Sequence, residues 1–337
     1  MTDTRSGKLP KIIGKSRAAR IERLAAVVIE CGLARFVTSA DVLSGGVSGT
    51  VLKVDTDAGP FVVKSPRRRL AVSAPWLASR ARARSEAAGL RLAHSILGDA
   101  IPEVLFVDER RLIVVTRYAD RFPQTWKHEL MSGVDRQGVA EAVARMLARL
   151  HAQTMSLHTG LLMDRSNFIE LRIEPYFRVT ARRDPNLALL MQTVEEDLLM
   201  TQQCLVHGDF SPKNLLVSAT DPPRAALIDF EVAHIGNPGF DLGFILSHLL
   251  LKSVAGKVDG RRIAKRLLAC YEHAGGPADT GPRLTRLVAA LMLARVKGWS
   301  PVEYLDDQSR ARAVDTALAL VGSSTDFAAA LTSALEP

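Results

Sequence analysis

The sequence is poor in cysteine, in aromatic residues and in long apolar runs. Cys31, Cys204 and Cys270 are odd in number and widely spaced among 337 residues, which argues against a disulfide framework or a zinc cluster. No apolar stretch reaches the roughly 18 to 20 uncharged residues that a membrane-spanning helix needs. Residues 1–17 are basic and lack the apolar core of an export signal. We therefore expect a cytoplasmic protein without a membrane partner.

The charge of the chain is unbalanced. Lysine and arginine outnumber the acids, which gives a formal net charge of +8. Such a balance attracts anionic partners, among them nucleic acids and ATP. Aromatic residues make up 5% of the chain and do not alternate with the basic ones, so a stacking surface for bases is poorly supported. We expect no nucleic-acid partner, and the sequence leaves open whether the chain forms a homodimer.

The organisation of the chain changes after its first third. Residues 1–17 predict a loose basic tail, and the segment that follows has a helix, Val-rich runs broken by glycine, and a second helix expected over residues 74–95. Later segments have mainly helical spacing, with short strands predicted around residues 215–217 and 226–228. Because the chain is too long for one ordinary core, two lobes are expected. The sequence predicts an α+β fold, with an antiparallel-sheet N-lobe over residues 18–117 and a mainly helical C-lobe over residues 118–337.

A glycine-rich turn separates the first two predicted strands. Bare backbone N–H groups in such a turn can approach phosphate oxygens, because glycine has no side chain in the way. The turn is not a Walker loop, since no Gly-Lys-Ser/Thr follows it. Taken alone, an ordinary hairpin turn is the simpler interpretation. Its residues are Ser44, Gly45, Gly46, Val47, Ser48 and Gly49.

Lys64 and Glu86 form a second candidate pair. Lys64 lies at the end of an apolar strand pattern, and Glu86 lies among small apolar residues of the next predicted helix. A lysine that faces inward needs an acidic partner, and Glu86 is placed to serve. The alternatives are that Lys64 extends to solvent and that Glu86 lies on a solvated helix face, paired with a nearby arginine.

The stretch "LVHGDFSPKNLLV" places a polar loop between two apolar runs. An aspartate on a loop held at both ends can take the proton of an alcohol that attacks a phosphoryl group, and Asp209 occupies that position. Further along the loop, Asn214 offers a carbonyl oxygen, a ligand type that suits Mg²⁺. His207 is interpreted as a hydrogen-bonding brace, which is a commoner role for a lone histidine than catalysis.

Asp229 and Glu231 follow the next short apolar run. Because residues i and i+2 share a face in extended structure, the two carboxylates would repel each other unless a cation lay between them. This spacing predicts a metal site, and exposure of both acids on the surface is the alternative. Asp241 starts a helical pattern and is interpreted as either its N-cap or a second brace.

Taken in order, these features resemble the eukaryotic-type protein-kinase architecture in its small-molecule branch. The order is a glycine turn, a strand lysine, a helix glutamate, the motif H-G-D-x-x-x-x-N and the motif I-D-F-E. That branch holds aminoglycoside phosphotransferases, choline kinases and methylthioribose kinases, and the resemblance runs from Val42 to Tyr304. The likeness is greatest to methylthioribose kinase, whose D-P-E metal motif corresponds to Asp229-Phe230-Glu231 here.

The resemblance implies a bilobal protein-kinase-like fold and a kinase that transfers the γ-phosphate of ATP to a hydroxyl of a sugar-like or other polar small molecule. ATP and Mg²⁺ would be its cofactors, with the nucleotide bound in the N-lobe. Asp209 would orient the acceptor hydroxyl and take its proton, and Asn214, Asp229 and Glu231 would hold the metal. The nucleotide would be held by the turn of residues 44–49, by Lys64 with Glu86, and by a hinge of Arg117, Tyr118 and Ala119.

The acceptor is less well defined. Arg295 and Trp299 are expected to contact it, although packing or an exposed helix face explains them as well. Trp76 could cover the nucleotide or pack in a core. The sequence departs from methylthioribose kinase at two positions: Asn214 stands where that family has Ser, and Ala294 replaces one of its paired arginines. The sequence therefore leaves the acceptor open.

Two other functions remain as alternatives. An aminoglycoside phosphotransferase would need an acidic pocket for the amines of its substrate, and the acidic runs "VEEDLL" and "YLDDQ" could supply one. A non-catalytic nucleotide-binding protein on a kinase scaffold would be expected to lose Lys64, Asp209 or a metal-binding acid. None of these residues is missing from the sequence.

Overall fold

The computed structural model describes most of the chain. The tail, the glycine-turn residues 44–48 and Trp76 lie outside the described residues, so the predictions made for them stay predictions. The described residues are 18–43, 49–67, 78–158, 160–323 and 325–333.

The chain divides into two compact units. The smaller unit comprises the chain up to Ala83 together with Glu103–Tyr118, and the larger unit comprises Arg84–Pro102 and Ala119–Pro337. The segment Arg84–Pro102 therefore groups with the larger unit, although it lies in the range assigned to the N-lobe from the sequence. The predicted lobe boundaries stay a prediction.

A five-stranded antiparallel sheet forms the centre of the smaller unit, with the strand order β1-β2-β3-β5-β4. β2 and β3 form a tight hairpin in which Thr56 pairs with Gly59, and the φ of 105° at Gly59 is a conformation that favours glycine. The strands are β1 (Val37–Val42), β2 (Gly49–Thr56), β3 (Gly59–Pro66), β4 (Val104–Asp108) and β5 (Ile113–Arg117).

The core of this unit lies between the sheet and the first helical segment. Residues 18–25 are helical, and α1 (Val27–Glu30) follows them. Leu52 and Val54 alternate with half-buried residues along β2, as a strand with one buried face requires, and both belong to the same core as Val27. Full burial of a side chain of this kind stabilises a fold by about 1.5 to 3 kcal/mol.

Helices dominate the rest of the chain. Among the described residues, no helix is long and apolar enough to cross a bilayer. The helices are α2 (Arg82–Leu97), α3 (Trp126–Met131), α4 (Val139–Gln153), α5 (Ser166–Phe168), a π-helix (Ile169–Arg178), α6 (Val179–Arg183), α7 (Ala188–Met200), α8 (Gly239–Val254), α9 (Gly260–His273), α10 (Pro282–Lys297), α11 (Asp307–Gly322) and α12 (Phe327–Ser333).

Short strands in the larger unit hold the two polar motifs at both ends. β7 pairs with β10, and β8 pairs with both β6 and β9. The loop His207–Asn214 runs from β7 to β8, whereas the segment Ile228–Ala233 runs from β9 to β10. Each motif is therefore fixed by a strand before it and a strand after it. The strands are β6 (Gln124–Thr125), β7 (Cys204–Val206), β8 (Leu215–Val217), β9 (Ala225–Leu227) and β10 (His234–Gly236).

Several boundaries differ from those predicted. α2 begins at Arg82, so residues 78–81 are not helical as expected. β9 begins one residue earlier than predicted, and the three-residue strands β7 and β10 were not predicted. Strands this short carry too few residues for an alternating pattern, so the sequence indicated β8 and β9 but not β7 and β10.

Candidate active site

The loop that begins at His207 is braced from within. The buried His207 ring accepts the backbone N–H of Asp209 at Nδ1 (3.1 Å), so Nε2 carries the hydrogen and donates to the carbonyl of Ile228 (3.0 Å). Burial lowers the pKa of His207, which keeps the ring neutral as this bonding requires. His207 thus joins the loop to the segment that contains Asp229.

A second brace comes from Asp241, in the first turn of α8. Its carboxylate accepts the backbone N–H groups of His207 (2.7 Å) and Gly208 (2.9 Å), and it lies 3.3 Å from Nε2 of His151. Burial would raise the pKa of Asp241, but these partners lower it, so the carboxylate is ionised. The N-cap of α8 is Pro238, so the capping interpretation of Asp241 is wrong and the bracing interpretation is confirmed.

Two residues with positive φ shape the backbone around these braces. At Gly208 φ is 76°, and a Cβ there would lie 2.7 Å from the carbonyl oxygen of Val232, so the position requires glycine. Asp229 also has a positive φ, 73°, which aspartate adopts more readily than most residues. β9 ends at Leu227, so the expectation that Asp229 and Glu231 share the face of an extended strand is wrong.

Three side chains contact the carboxylate of Asp209. Nη2 of Arg172 lies 3.0 Å from Oδ1, whereas Nζ of Lys213 (2.8 Å) and Nδ2 of Asn214 (2.9 Å) lie next to Oδ2. Burial would raise the pKa of Asp209, but the charges of Lys213 and Arg172 hold it well below its usual value. Asp209 is therefore ionised at neutral pH and remains so in mild acid.

Sequence reasoning did not identify Arg172 as part of the site. It lies in the π-helix, where its guanidinium donates to the carbonyl of Gly208 (2.7 Å). The same group lies over the rings of Tyr176 (5.6 Å) and Phe244 (5.7 Å). Pro175 lies inside the π-helix and lacks an N–H, which is the local sign that this helix departs from regular α geometry.

Asn214, Asp229 and Glu231 have the chemistry of a Mg²⁺ site. The amide nitrogen of Asn214 donates to Asp209, which leaves the carbonyl oxygen of the amide for a cation. Burial would lower the pKa of Arg172, but the charges of neighbouring carboxylates raise it. Those carboxylates include Asp209, Glu231 and Asp229. In the described part of the chain no three His, Cys, Asp or Glu side chains form a metal site, so the asparagine oxygen would complete this set.

The residues expected to hold the nucleotide lie in both units. Gly49 begins β2, and Lys64 lies on β3, where it pairs with Val51 and Val114. Glu86 lies on α2. Lys64 and Glu86 are both buried, so the alternatives in which these side chains lie in solvent are wrong.

Two backbone N–H groups of the expected hinge already have hydrogen-bond partners. The N–H groups of Arg117 and Tyr118 donate to the carbonyls of Glu103 (3.0 Å) and Pro60 (3.3 Å) within the smaller unit. An adenine could therefore not accept from either of these groups. The carbonyl of Ala119 accepts the N–H of Phe122 (3.1 Å), so the N–H of Ala119 is the position left for the predicted adenine contact.

Arg295, on α10, contacts the same aromatic ring as Arg172, that of Tyr176. Its Nη1 donates to the hydroxyls of Tyr176 (3.2 Å) and Ser300 (2.7 Å), and its guanidinium lies 5.6 Å from the centre of the Tyr176 ring. Because Tyr176 also faces Arg172, one aromatic ring connects Arg295 to the surroundings of Asp209.

Trp299 lies just beyond α10. Its backbone N–H donates to the carbonyl of Pro175 (3.1 Å). A Cβ on the preceding residue, Gly298, would lie 2.9 Å from that same carbonyl oxygen, so the end of α10 packs directly against the π-helix. Both residues expected to contact the acceptor therefore lie where α10 meets the helix that carries Arg172.

Comparison with known proteins identifies the family. The model of the phosphotransferase enzyme family, APH, matches residues 39–282. The chain belongs to this family. This membership confirms the family predicted from the glycine turn and the two polar motifs of the sequence.

Two curated relatives match part of the chain. Methylthioribose kinase 2 of Oryza sativa subsp. japonica is 27% identical over 227 residues, which cover 58% of this chain and 52% of the relative. Methylthioribose kinase 1 of the same plant is 26% identical over 226 residues, with the same shares. The chain thus spans about half the length of the curated relatives it matches.

Solved structures share the fold. A choline/ethanolamine kinase family protein from Mesorhizobium loti matches with a TM-score of 0.57 and 17% identity, over 94% of this chain and 98% of the other. Choline kinase LicA from Streptococcus pneumoniae matches with a TM-score of 0.53 and 14% identity, over 90% and 99%. These matches, together with the antiparallel sheet and the many helices, confirm the protein-kinase-like α+β fold.

Proposed function

We propose that the protein transfers the γ-phosphoryl group of ATP to a hydroxyl of a small polar metabolite. The observation that carries this proposal is the setting of Asp209, a buried and ionised carboxylate on a loop that strands, His207 and Asp241 hold in place. Family membership and the partial match to two methylthioribose kinases support the same chemistry.

In the proposed reaction, Asp209 accepts a hydrogen bond from the acceptor hydroxyl and orients its oxygen toward the γ-phosphorus. The new O–P bond forms as the bond between the γ-phosphorus and the bridging oxygen breaks, and ADP leaves. The hydroxyl proton passes to Asp209. Because Lys213 and Arg172 depress the pKa of this carboxylate, it is a weak base. Its main contribution is therefore position, which suits a reaction that depends on alignment and charge compensation.

Asn214, Asp229 and Glu231 would hold Mg²⁺, which when bound neutralises charge on the transferring phosphoryl group. Lys64 with Glu86, residues 44–49 and the backbone at Ala119 would hold the nucleotide, as the family resemblance implies. The side chain of Lys213 is 52% exposed. Its ammonium can therefore shift from the carboxylate of Asp209 towards a phosphate oxygen during the reaction.

An ADP-release assay with an acceptor panel tests the proposal. The panel holds methylthioribose, other sugars, choline, homoserine and aminoglycosides, with and without Mg²⁺. We expect ADP release to require both Mg²⁺ and one class of acceptor. Asp209→Asn should lower kcat by about 10²- to 10⁴-fold while nucleotide binding persists.

The controls separate this proposal from a non-catalytic nucleotide-binding protein. Asp315→Asn replaces an exposed acid on α11 and should leave turnover unchanged. Normal turnover by Asp209→Asn would contradict the role of Asp209. Nucleotide binding without ADP release for any acceptor would favour the non-catalytic protein.

A further inference from the structure

Four polar side chains form a basic cluster next to the arrangement that contains Arg172. His248 and Lys252 lie on α8, Arg295 lies on α10, and Tyr304 lies between α10 and α11. We call these four residues the basic cluster. Lys252 is buried and Arg295 is half-buried, and a buried charge is costly unless an anion compensates it.

Lys252 is the clearest case of an uncompensated charge. Its side chain is 1% exposed, its one hydrogen bond goes to the carbonyl of His248 (3.4 Å), and it forms no ion pair within the described ranges. Its ammonium lies 5.1 Å from the centre of the Tyr304 ring. Burial, with the charges of Lys127 and Arg295, lowers the pKa of Lys252 to about 7.

Two further atoms of the cluster lack partners. Nε of Arg295 and the hydroxyl of Tyr304 are buried, and neither has a hydrogen-bond partner in the described part of the chain. A buried polar atom without a partner costs about 1 to 3 kcal/mol, so both donors favour a ligand that can accept from them. An anion with two or three acceptor oxygens would meet this requirement.

The cluster is continuous with Asp209. Arg172 contacts Asp209 and lies over the rings of Tyr176 and Phe244. Tyr176 bonds to Arg295, and the ring of Phe244 contacts that of His248 at 5.0 Å. Two series of side-chain contacts thus connect the basic cluster to Asp209.

The acidic runs do not supply counter-charges to this cluster. Asp306 accepts the backbone N–H of Ser309 (2.7 Å) and caps α11, and Glu195 pairs with Arg178 (2.7 Å). Glu303, next to Tyr304 in the chain, is exposed. These three acids are thus engaged elsewhere or exposed, and among the residues that the structure describes none of them is paired with a member of the basic cluster.

We propose that the phosphoryl acceptor carries an anionic group, a carboxylate or a phosphate, and that Arg295, Tyr304 and Lys252 recognise it. Arg295 and Tyr304 donate hydrogen bonds to the anion, and Lys252, next to the Tyr304 ring, contributes positive charge. This inference rests on the proposed kinase function and narrows its substrate class. It disfavours cationic acceptors such as choline or aminoglycosides, because their positive charge would add to that of the cluster.

Calorimetric titration with four related hexoses tests this inference. D-glucuronate carries a carboxylate, D-glucose 6-phosphate a phosphate, D-glucose no charge and D-glucosamine a positive charge. At matched ionic strength we expect one of the two acids to bind at least about tenfold tighter than glucose, and glucosamine to bind more weakly than glucose. The acid that binds better identifies the anionic group.

Substitutions in the basic cluster test whether its side chains bind the acid. Lys252→Met should weaken binding of the preferred acid by about tenfold and leave glucose binding unchanged. Tyr304→Phe removes only the hydroxyl and should weaken binding of the preferred acid by a few-fold. Lys265→Met makes the same change at an exposed lysine of α9 and serves as the matched control.

Each outcome separates the inference from the proposed function. Binding of neither acid, equal binding of acid and glucose, or unchanged acid binding in both Lys252→Met and Tyr304→Phe would overturn the anion site. ADP release with a neutral sugar as efficient as with its acid would overturn it too, and would leave the kinase activity standing. Acid binding through Lys252 without ADP release for any acceptor would contradict the kinase activity but not the anion site.

Discussion

The loop His207–Asn214 and the basic cluster both bury charged groups, but these groups differ in how many bonding partners they have. In the loop, Asp209 has three side-chain partners, and the backbone N–H groups next to it bond to Asp241 and His207. In the cluster, Lys252 has one long hydrogen bond, and two buried donors have no partner in the described residues.

This difference distinguishes a fully bonded polar network from the anion site proposed for the basic cluster. A buried polar network that is fully bonded is rigid and costly to disturb. A buried cation without a partner destabilises the folded protein until an anion binds. Substitutions should therefore destabilise the loop and stabilise the cluster, and that contrast can be measured.

Asp241→Asn should give the largest loss. The amide cannot accept from the two backbone N–H groups of the loop and His151 at once, and its NH₂ group faces donors. We expect a loss of about 3 to 5 kcal/mol in the free energy of unfolding, measured in urea, together with reduced turnover. Asp315→Asn, at an exposed site, should change stability by less than about 0.5 kcal/mol. Equal effects of the two variants would contradict the bracing role.

Gly208→Ala should be the next most severe change. The new Cβ would meet Val232 at 2.7 Å in a backbone with positive φ, so strain and overpacking add. We expect about 2 to 4 kcal/mol of destabilisation. Gly256 has a φ of 64° and nothing within 4 Å of its Cβ position, so Gly256→Ala isolates the conformational part, about 1 kcal/mol. Similar losses in both variants would mean that the contact with Val232 relaxes.

Lys213→Met should affect turnover more than stability. The side chain is half exposed, so little folding energy depends on it, but its ammonium lies 2.8 Å from the carboxylate of Asp209. We expect kcat to fall by about tenfold, with partial recovery in Lys213→Arg. A change in the urea midpoint as large as that of Asp241→Asn would show a structural role instead.

The sequence predicted the parts of this site that are close together in the chain. Asp209 and Asn214 share one loop, and the alternation of apolar runs and polar residues marks that loop directly. The geometry of Asp229 was predicted wrongly, because one residue with a positive φ leaves no trace in the string "LIDFEVAH".

Contacts between distant elements could not be predicted. Arg172 reaches Asp209 from a π-helix, and no local pattern connects those two segments. Lys252 lies at the end of the apolar run "SHLLLKSV", where a lysine would ordinarily extend its charge to water. Its burial follows from the packing of α8 against neighbouring helices, which is a property of the fold.

Lys252→Met should have the smallest effect of these variants. It should raise the free energy of unfolding, whereas the substitutions in the loop lower it. The pKa of Lys252 is lowered from 10.5 to about 7, so between these values the unfolded chain binds one more proton, and stability rises with pH. The penalty of the buried charge is therefore complete below pH 7. We expect Lys252→Met to raise the free energy of unfolding by about 1 to 2 kcal/mol more at pH 6 than at pH 8. Lys265→Met should show no such difference, and a gain that is equal at both pH values would arise from apolar packing and not from the buried charge.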